Sequence, residues 1–470
     1  MLSEQNSAAR AELGRAVKQI LCHPNGHSKP LVVSRSVPLS GLSPLTWLLT
    51  QRTTPRVYWS GRDYGIEAAG ISIADEQKKE TSSCLAPLRA NLAPLLSGIE
   101  PDIRYYGGLR FDLRPPHEAH WRDFGAWWFV LPRFEVRASK NGTTLRCNLV
   151  LPRDYAQLDH ILTTLNSLRL NPIHAEVALP RPESHQYRPV RSKWNATVEW
   201  ALRGIDFALL DKVVLARETA IRCSGDPDPA ALLRKLKADT PRCFHFLFQP
   251  SGRSAFVGAS PERLFRRTGR NIESEAVAGS RPKGISAVDD ARLVAELQSS
   301  EKELREHEYV RVSLQEEMTP LADSVMLDAL PSIMRLASER HLVSRMRATL
   351  RQGVTSLDVL QALHPSPAVG GYPTGRAVDA ILAHEPFDRG WYAGPVGWIG
   401  PDAAEFAVGI RSGLVDEDYV RLYSGAGIVR GSTPGAEWDE IGDKIVDFTR
   451  VLGLTTATAL PEAAFRPSIV

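Results

Sequence analysis

Four short segments place ionisable side chains where a folded chain ordinarily buries apolar ones. Lys212 opens the compact apolar run Lys212-Val-Val-Leu-Ala-Arg217. A lysine at a strand end commonly snorkels to water, so this segment alone argues for nothing more. Glu262 follows Ala255-Phe-Val257 and the small-residue turn Gly258-Ala-Ser-Pro. Such a turn lets the backbone approach closely and carries the carboxyl just beyond it, although a solvated surface carboxylate is the ordinary reading there. Glu303 and Glu306 stand at i,i+3 on a helical pattern, and so do Glu437 and Glu440, with Lys444 at i+7. One acidic pair is weak evidence, because most are merely solvated. Two helices that each offer a pair can converge as an oxygen cage for a hard cation such as magnesium. His307 offers a further donor, but oxygen ligands suffice, and packing or capping is the commoner role for such a histidine. The stretch Gly425-Ala-Gly-Ile-Val-Arg-Gly invites a dinucleotide reading as a Gly-rich turn before a helix. It lacks the third glycine at the required spacing, where Arg430 stands, and no βαβ unit follows.

The elements that must position these residues are legible in outline. Residues 8–21 place Ala9, Leu13, Ala16 and Ile20 at helical spacing, and strand-like runs follow at 31–34, 57–60 and 66–73. Alternation over Phe134–Val150, with Asn141-Gly142 as the turn, predicts an antiparallel hairpin. Residues 178–192, with three prolines and no periodicity, read as a surface connection. A helix is expected from near Lys193, with Trp194, Val198, Leu202 and Ile205 on one face. It leads into the Lys212 strand. Short alternating strands interrupted by helices favour a mixed, mainly antiparallel α+β architecture over a regular βαβ series.

Composition narrows the function classes. The 470 residues carry 57 Lys+Arg against 54 Asp+Glu, a formal charge of +3 too small and too scattered to point to nucleic acid. No uninterrupted apolar run of about 18 residues suggests a membrane span, and residues 1–15 have no signal-peptide core. Cys22, Cys84, Cys147, Cys223 and Cys243 are odd in number and show no CxxC spacing. That pattern suggests neither zinc nor a disulfide framework and points to a reducing compartment, most simply the cytoplasm.

With these motifs in hand, the chain resembles the chorismate-utilising enzymes. That family includes isochorismate, salicylate and aminodeoxychorismate synthases and the large subunits of anthranilate synthase. The resemblance rests on KVVLAR, GASPERL, AVAGSRPKG, SEKELREHE, LHPSPAVGGYP, EPFDRGWYAGPVGW, the Ile410-Arg411 pair and SGAGIVRGSTPGAEWDEIGDK, which fill roughly residues 195–455 in order. PRVYWSGRD and YYGGLRFD extend it less specifically toward the N-terminus. It implies a large, mainly antiparallel β-sandwich with surrounding helices. Residues 1–190 would complete the fold, 191–455 would form the catalytic region, and 456–470 a tail.

The resemblance also implies roles. Lys212 matches the base that activates water, and Glu262 the acid that protonates the departing hydroxyl. Glu306 and Glu440 match magnesium ligands, with Glu303 and Glu437 supporting them. Gly279, Ser280, His364, Tyr392, Arg411, Gly425 and Lys444 match substrate-contacting positions. Magnesium would hold the ring carboxylate of chorismate, while Arg411 and Lys444 hold the enolpyruvyl one. Lys212 must then work without its proton and Glu262 with one, the reverse of their states in water.

The expected reaction is conversion of chorismate to isochorismate. Salicylate synthesis with loss of pyruvate is the alternative that uses the same groups. Ala278 stands where aminodeoxychorismate synthases of the common type carry a nucleophilic lysine. Lys212 argues for water, rather than ammonia, as nucleophile and hence against an anthranilate synthase. A non-catalytic chorismate-binding protein would ordinarily have lost one of these groups. No obligatory protein partner is expected, and a monomer suffices.

Overall fold

The computed structural model describes residues 2–23, 30–63, 65–97, 100–171 and 177–454. The expected tail, 456–470, lies outside the described residues. The first elements are α1 (Leu2–Leu21), β1 (Leu31–Leu39), α2 (Pro44–Thr50), β2 (Arg56–Ser60), β3 (Glu67–Lys79), α3 (Ala86–Leu96) and β4 (Tyr105–Leu109). There follow β5 (Trp127–Ser139), β6 (Gly142–Leu151), α4 (Leu158–Ser167), β7 (Pro182–Arg188), α5 (Arg191–Asp206), β8 (Lys212–Cys223) and α6 (Pro229–Asp239). The middle of the chain supplies β9 (Phe244–Gln249), β10 (Ser254–Ser260), β11 (Arg263–Thr268), β12 (Asn271–Pro282), α7 (Ala287–Ser299) and α8 (Glu301–Met318). After them come β13 (Ala322–Leu327), β14 (Ser332–Arg335), β15 (Glu339–Leu350), α9 (Ser356–Leu363), β16 (Gly371–Tyr372) and α10 (Thr374–His384). The last described elements are β17 (Pro395–Ile399), β18 (Ala403–Val408), β19 (Ser412–Asp416), β20 (Tyr419–Ile428), α11 (Pro434–Asp443) and α12 (Val446–Val451).

The strands join in one antiparallel network that forks at the long β3–β5 ribbon. One arm continues β3-β2-β9-β10-β19-β20-β8-β7. The other continues β5-β4-β17-β18-β11-β12-β15. Because side chains alternate across a strand, each strand serves two layers. Phe244, Phe246 and Phe248 of β9 enter the core shared by both arms, with Phe265, Trp391 and Phe406 from the second arm. Leu247, one residue out of phase, joins a second core that α1, α2, α4 and α6 cover from outside. This is the α+β sandwich that the resemblance implied. Pairings β2–β9 and β4–β17 bind strands from the first 190 residues into the later ones.

Three local expectations need correction. The 134–150 hairpin forms, but Ser139 pairs with Gly142, so Lys140-Asn141 makes the turn and Gly142 opens β6. Residues 182–188 are not a free connection but an edge strand on β8, pairing from Pro182↔Cys223 to Arg188↔Glu218 with a register shift between Pro182 and Ser184. Pro182 begins that strand and Pro189 lies past its end, positions where a missing N–H breaks no ladder. The glycines at 425 and 427 lie inside β20, not in a turn, and the following helix breaks at Lys444 into α11 and α12. Among the described residues no helix is long and apolar enough to cross a membrane.

Candidate active site

The expected site residues converge where the two arms face each other. Lys212 begins β8, which is held between β20 and the short β16, where Tyr372 pairs with Lys212. Its side chain is 0% exposed, and Nζ lies 3.0 Å from Glu306 Oε1, an ion pair without hydrogen-bond alignment. Glu306 arrives on α8, whose start is capped by Ser300, accepting from the Glu303 N–H. Gly427 of β20 lies beneath this pair: a Cβ there would stand 2.1 Å from Glu306 Oε1 and 3.0 Å from Lys212 Cε. Only glycine lets the acid and the lysine meet over that strand.

Glu262 sits where the chain crosses from β10 in one arm to β11 in the other. Its N–H donates to Ser260 Oγ at 3.3 Å, and its carbonyl accepts from Val408 N–H at 3.1 Å. The carboxyl is buried, and burial, then the adjacent Glu275, push it up to about 8 against the opposing pull of Lys212, Arg62 and Lys444. A carboxylic acid that keeps its proton near neutrality is a group poised to donate it. The sequence alone left that protonation state open. In the fold, desolvation outweighs the nearby cations.

A cleft of about 780 Å³, counting its open mouth, brings together Glu262, Gly279, Ser280, Glu306, Tyr392 and Arg411, together with Gly425, Glu440 and Lys444. Gly279, at φ +76, is the bulge residue where the β12–β15 register shifts between Ala278 and Ser280. A side chain there would be strained and would press on Glu303, while the bulge re-aims Ser280 at the cleft. Tyr392 stacks on Tyr423 with ring centroids 5.5 Å apart. Lys444 caps α11, and its Nζ donates to Gly425 O at 2.8 Å and to Glu440 Oε1 at 2.7 Å. Arg411, itself at φ +51, donates to Lys444 O at 3.0 Å and pairs with Glu339. The cleft thus has a cationic end, Arg411 and Lys444, within reach of two carboxylates.

Other expected residues sit behind the cleft wall. Glu303 accepts from Arg281 Nη1 at 2.8 Å, and Glu437 from Lys302 Nζ at 2.7 Å. Lys212 also lies behind the wall, touching the cleft through Glu306. His364 lines a neighbouring cavity of about 750 Å³, which shares Glu262 with the cleft. Its Nε2 lies 3.2 Å from Arg110 O and 3.0 Å from Phe111 O, so Nε2 carries the proton, and burial pushes the ring down to about 4. His307 is packed in the same neutral manner, its Nε2 2.9 Å from Ser344 Oγ, with burial pushing the ring down to about 4. Glu339, Arg281 and Lys302 are ion-pair partners of the expected residues that sequence reading missed, as it did His341 in the cleft wall. None carries a spacing signal, since each is defined by its partner across the fold.

The donor set fits a magnesium ion. Glu306 and Glu440 both open on the cleft, each with a lysine, Lys212 and Lys444, on one oxygen. A magnesium ion that keeps several waters needs only one or two protein carboxylates. Among the described residues, the one cluster of three donors within 4.8 Å is instead Glu118, His120 and Glu218. The Arg188 guanidinium donates to both of its glutamates, at 2.6 and 2.8 Å, which makes it a salt-bridge network.

Known proteins resemble the chain along nearly its whole length. The model of the family described as "Chorismate binding enzyme" matches residues 15–453. The chloroplastic isochorismate synthase of Catharanthus roseus is 35% identical over 369 residues, which cover 75% of this chain. The match spans 63% of that protein's length, less than two thirds. Isochorismate synthase MenF of Escherichia coli (strain K12) is 32% identical over 414 residues, 87% of this chain and 90% of that one. The solved structure of MenF, described as the menaquinone-specific isochorismate synthase from Escherichia coli, superposes with a TM-score of 0.81 at 28% identity. The superposition covers 95% of this chain and 99% of that one.

Proposed function

The chain belongs to the chorismate-binding enzyme family, and from that premise we propose that it isomerises chorismate to isochorismate. The observation that carries the reading is a carboxyl pushed up to about 8, Glu262, in the wall of a cleft that a fully buried lysine, Lys212, reaches through Glu306. Water adding to a ring carbon gives up its proton to Lys212, which would have to be unprotonated to act as the base and which meets the cleft only through Glu306. The allylic hydroxyl leaves as water with the proton of Glu262, and the ring double bonds shift between the two carbons. One water enters and one leaves, so no oxidant or reductant is required. Arg411 and Lys444 hold a carboxylate at the cationic end, and Tyr392 packs beside it. A magnesium ion held by Glu306 and Glu440 would neutralise the ring carboxylate. All these groups come from one chain, so water can serve as nucleophile without a protein partner.

The test is product analysis by chromatography of purified protein with chorismate and magnesium and no amine donor. Isochorismate alone is expected, with turnover lost to a chelator and restored by magnesium. Salicylate with equimolar pyruvate, or anthranilate once ammonia is added, would overturn the assignment.

A further inference from the structure

Glu262 is gripped by two residues that its reaction does not use. Arg62 follows β2 in the segment Ser60-Gly-Arg-Asp63, and Glu275 lies on β12; their side chains are 13% and 4% exposed. Arg62 Nη1 and Nη2 donate to the two Glu275 oxygens at 2.6 and 3.0 Å. Nη1 also donates to Pro261 O at 2.6 Å, and Glu275 Oε1 accepts from the Arg263 N–H at 3.0 Å. The pair thus holds the backbone immediately before and immediately after Glu262.

We propose that the Arg62–Glu275 ion pair is a positioning device for Glu262, fixing its backbone from both sides and setting a balanced pair of charges beside its carboxyl. The proposal rests on the reading of Glu262 as the proton donor. Stability alone does not call for such a pair, since burying two charges costs desolvation that apolar residues of similar volume avoid. Here Arg62 and Glu275 also bond Pro261 and Arg263, the two neighbours of the acid, while Arg62 Nε faces Asp63 at 3.6 Å. Glu275 favours retention of the Glu262 proton, and Arg62 opposes it. Lys212 from β8 and Lys444 from the end of α11 also act on Glu262, both favouring the anion. Glu306, Glu440, Arg411 and His341 share the cleft. Variants of the pair leave all six of these in place.

A merely structural ion pair loosens in the same way whichever partner is removed, whereas a charge-balancing pair responds with opposite signs. The experiment follows the infrared carbonyl stretch of protonated Glu262 against pH, assigned by its loss in Glu262→Gln. Glu275→Gln leaves Arg62 with only the half-exposed Asp63, 3.6 Å from its Nε, and the band should vanish about one pH unit or more below the wild-type midpoint. Arg62→Met leaves Glu275 uncompensated, and the band should persist about one unit or more above it. The alkaline limb of kcat should move with the band, while KM for chorismate holds, because neither side chain lines the cleft. Midpoints that move together or stay still would overturn the proposal. Should either single variant not fold, Arg62→Lys keeps the charge but not the fork. It should hold the midpoint and lower kcat, and a moved midpoint or an unchanged kcat would overturn the clamp. Opposite band shifts in a protein that makes no isochorismate would uphold the clamp and sink the reaction assigned above.

Discussion

Glu262→Gln is expected to lower turnover by about 10²–10⁴ while raising thermal stability in alkaline solution. In the folded chain, burial and then Glu275 push this carboxyl up to about 8 from the ordinary 4.5. The unfolded chain ionises the same group in water from about pH 4 upward. A raised acid contributes stability in full below its unfolded value, and that contribution drains as pH climbs from 4.5 to about 8. The gap is 8 − 4.5, about 3.5 pH units. At about 1.4 kcal/mol per unit it amounts to ~5 kcal/mol. Water entry and local relaxation around the buried charge bring that nearer ~3 kcal/mol. The unfolding entropy of ~2.1 cal/mol/K per residue sums to about 1 kcal/mol/K for a chain of this length, so Tm responds by about 3–5 °C. Thermal scans of both proteins from pH 5 to pH 9 should show the variant's Tm gaining about that much on the wild type as pH rises. Parallel curves would refute the claim that the fold holds this carboxyl protonated. The amide cannot donate a proton, so kcat should fall by about 10²–10⁴ with KM kept, and a retained rate would remove Glu262 as the acid.

Lys212→Met should lower kcat by a similar ~10²–10⁴. Chorismate affinity by calorimetry should be unchanged, because the lysine lies behind the cleft wall, and unaltered turnover would reject it as the base. Gly427→Ala would set a methyl group 2.1 Å from Glu306 Oε1. Magnesium affinity by calorimetry should drop while the fold persists, and an unchanged titration would reject Glu306 as a ligand. Asp154→Ala should strand the buried Arg133, whose guanidinium Asp154 pairs, and free the Val150 N–H it accepts at 2.7 Å. The cost should be ~3–5 kcal/mol in denaturation, with KM untouched; a loss below 1 kcal/mol would contradict the pairing.

Residues whose function depends on near neighbours in the chain were legible. The i,i+3 glutamate pairs do lie on helices, although only Glu306 and Glu440 face the cleft, the 134–150 alternation does make a hairpin, and the ordered motifs name nine residues that line one cleft. Less legible were features defined by a partner elsewhere. Residues 182–188 look like a connection because their few apolar side chains show no pattern, yet they pair along β8 from Pro182 to Arg188. Gly425 and Gly427 read as a turn because glycine is the usual turn residue. Their cause is instead close approach, by Tyr392 at one and Glu306 at the other.

The amino-acid sequence by itself determined the α+β class and, through its family resemblance, which residues are proposed as acid, base and carboxylate donors, because residue type and local period belong to the chain before it folds. Only the tertiary structure decided how those groups are charged and which of them meet. Glu262 keeps its proton because two arms of a sheet close water away from it and set Glu275 beside it, 13 residues on in the chain but one hydrogen-bonded neighbour away in space. Glu303 and Glu437 fall behind the wall on Arg281 and Lys302, while Glu306 and Glu440, paired with Lys212 and Lys444, face the cleft. Burial and long-range charge depend on how distant segments pack, and no spacing along the chain carries that information.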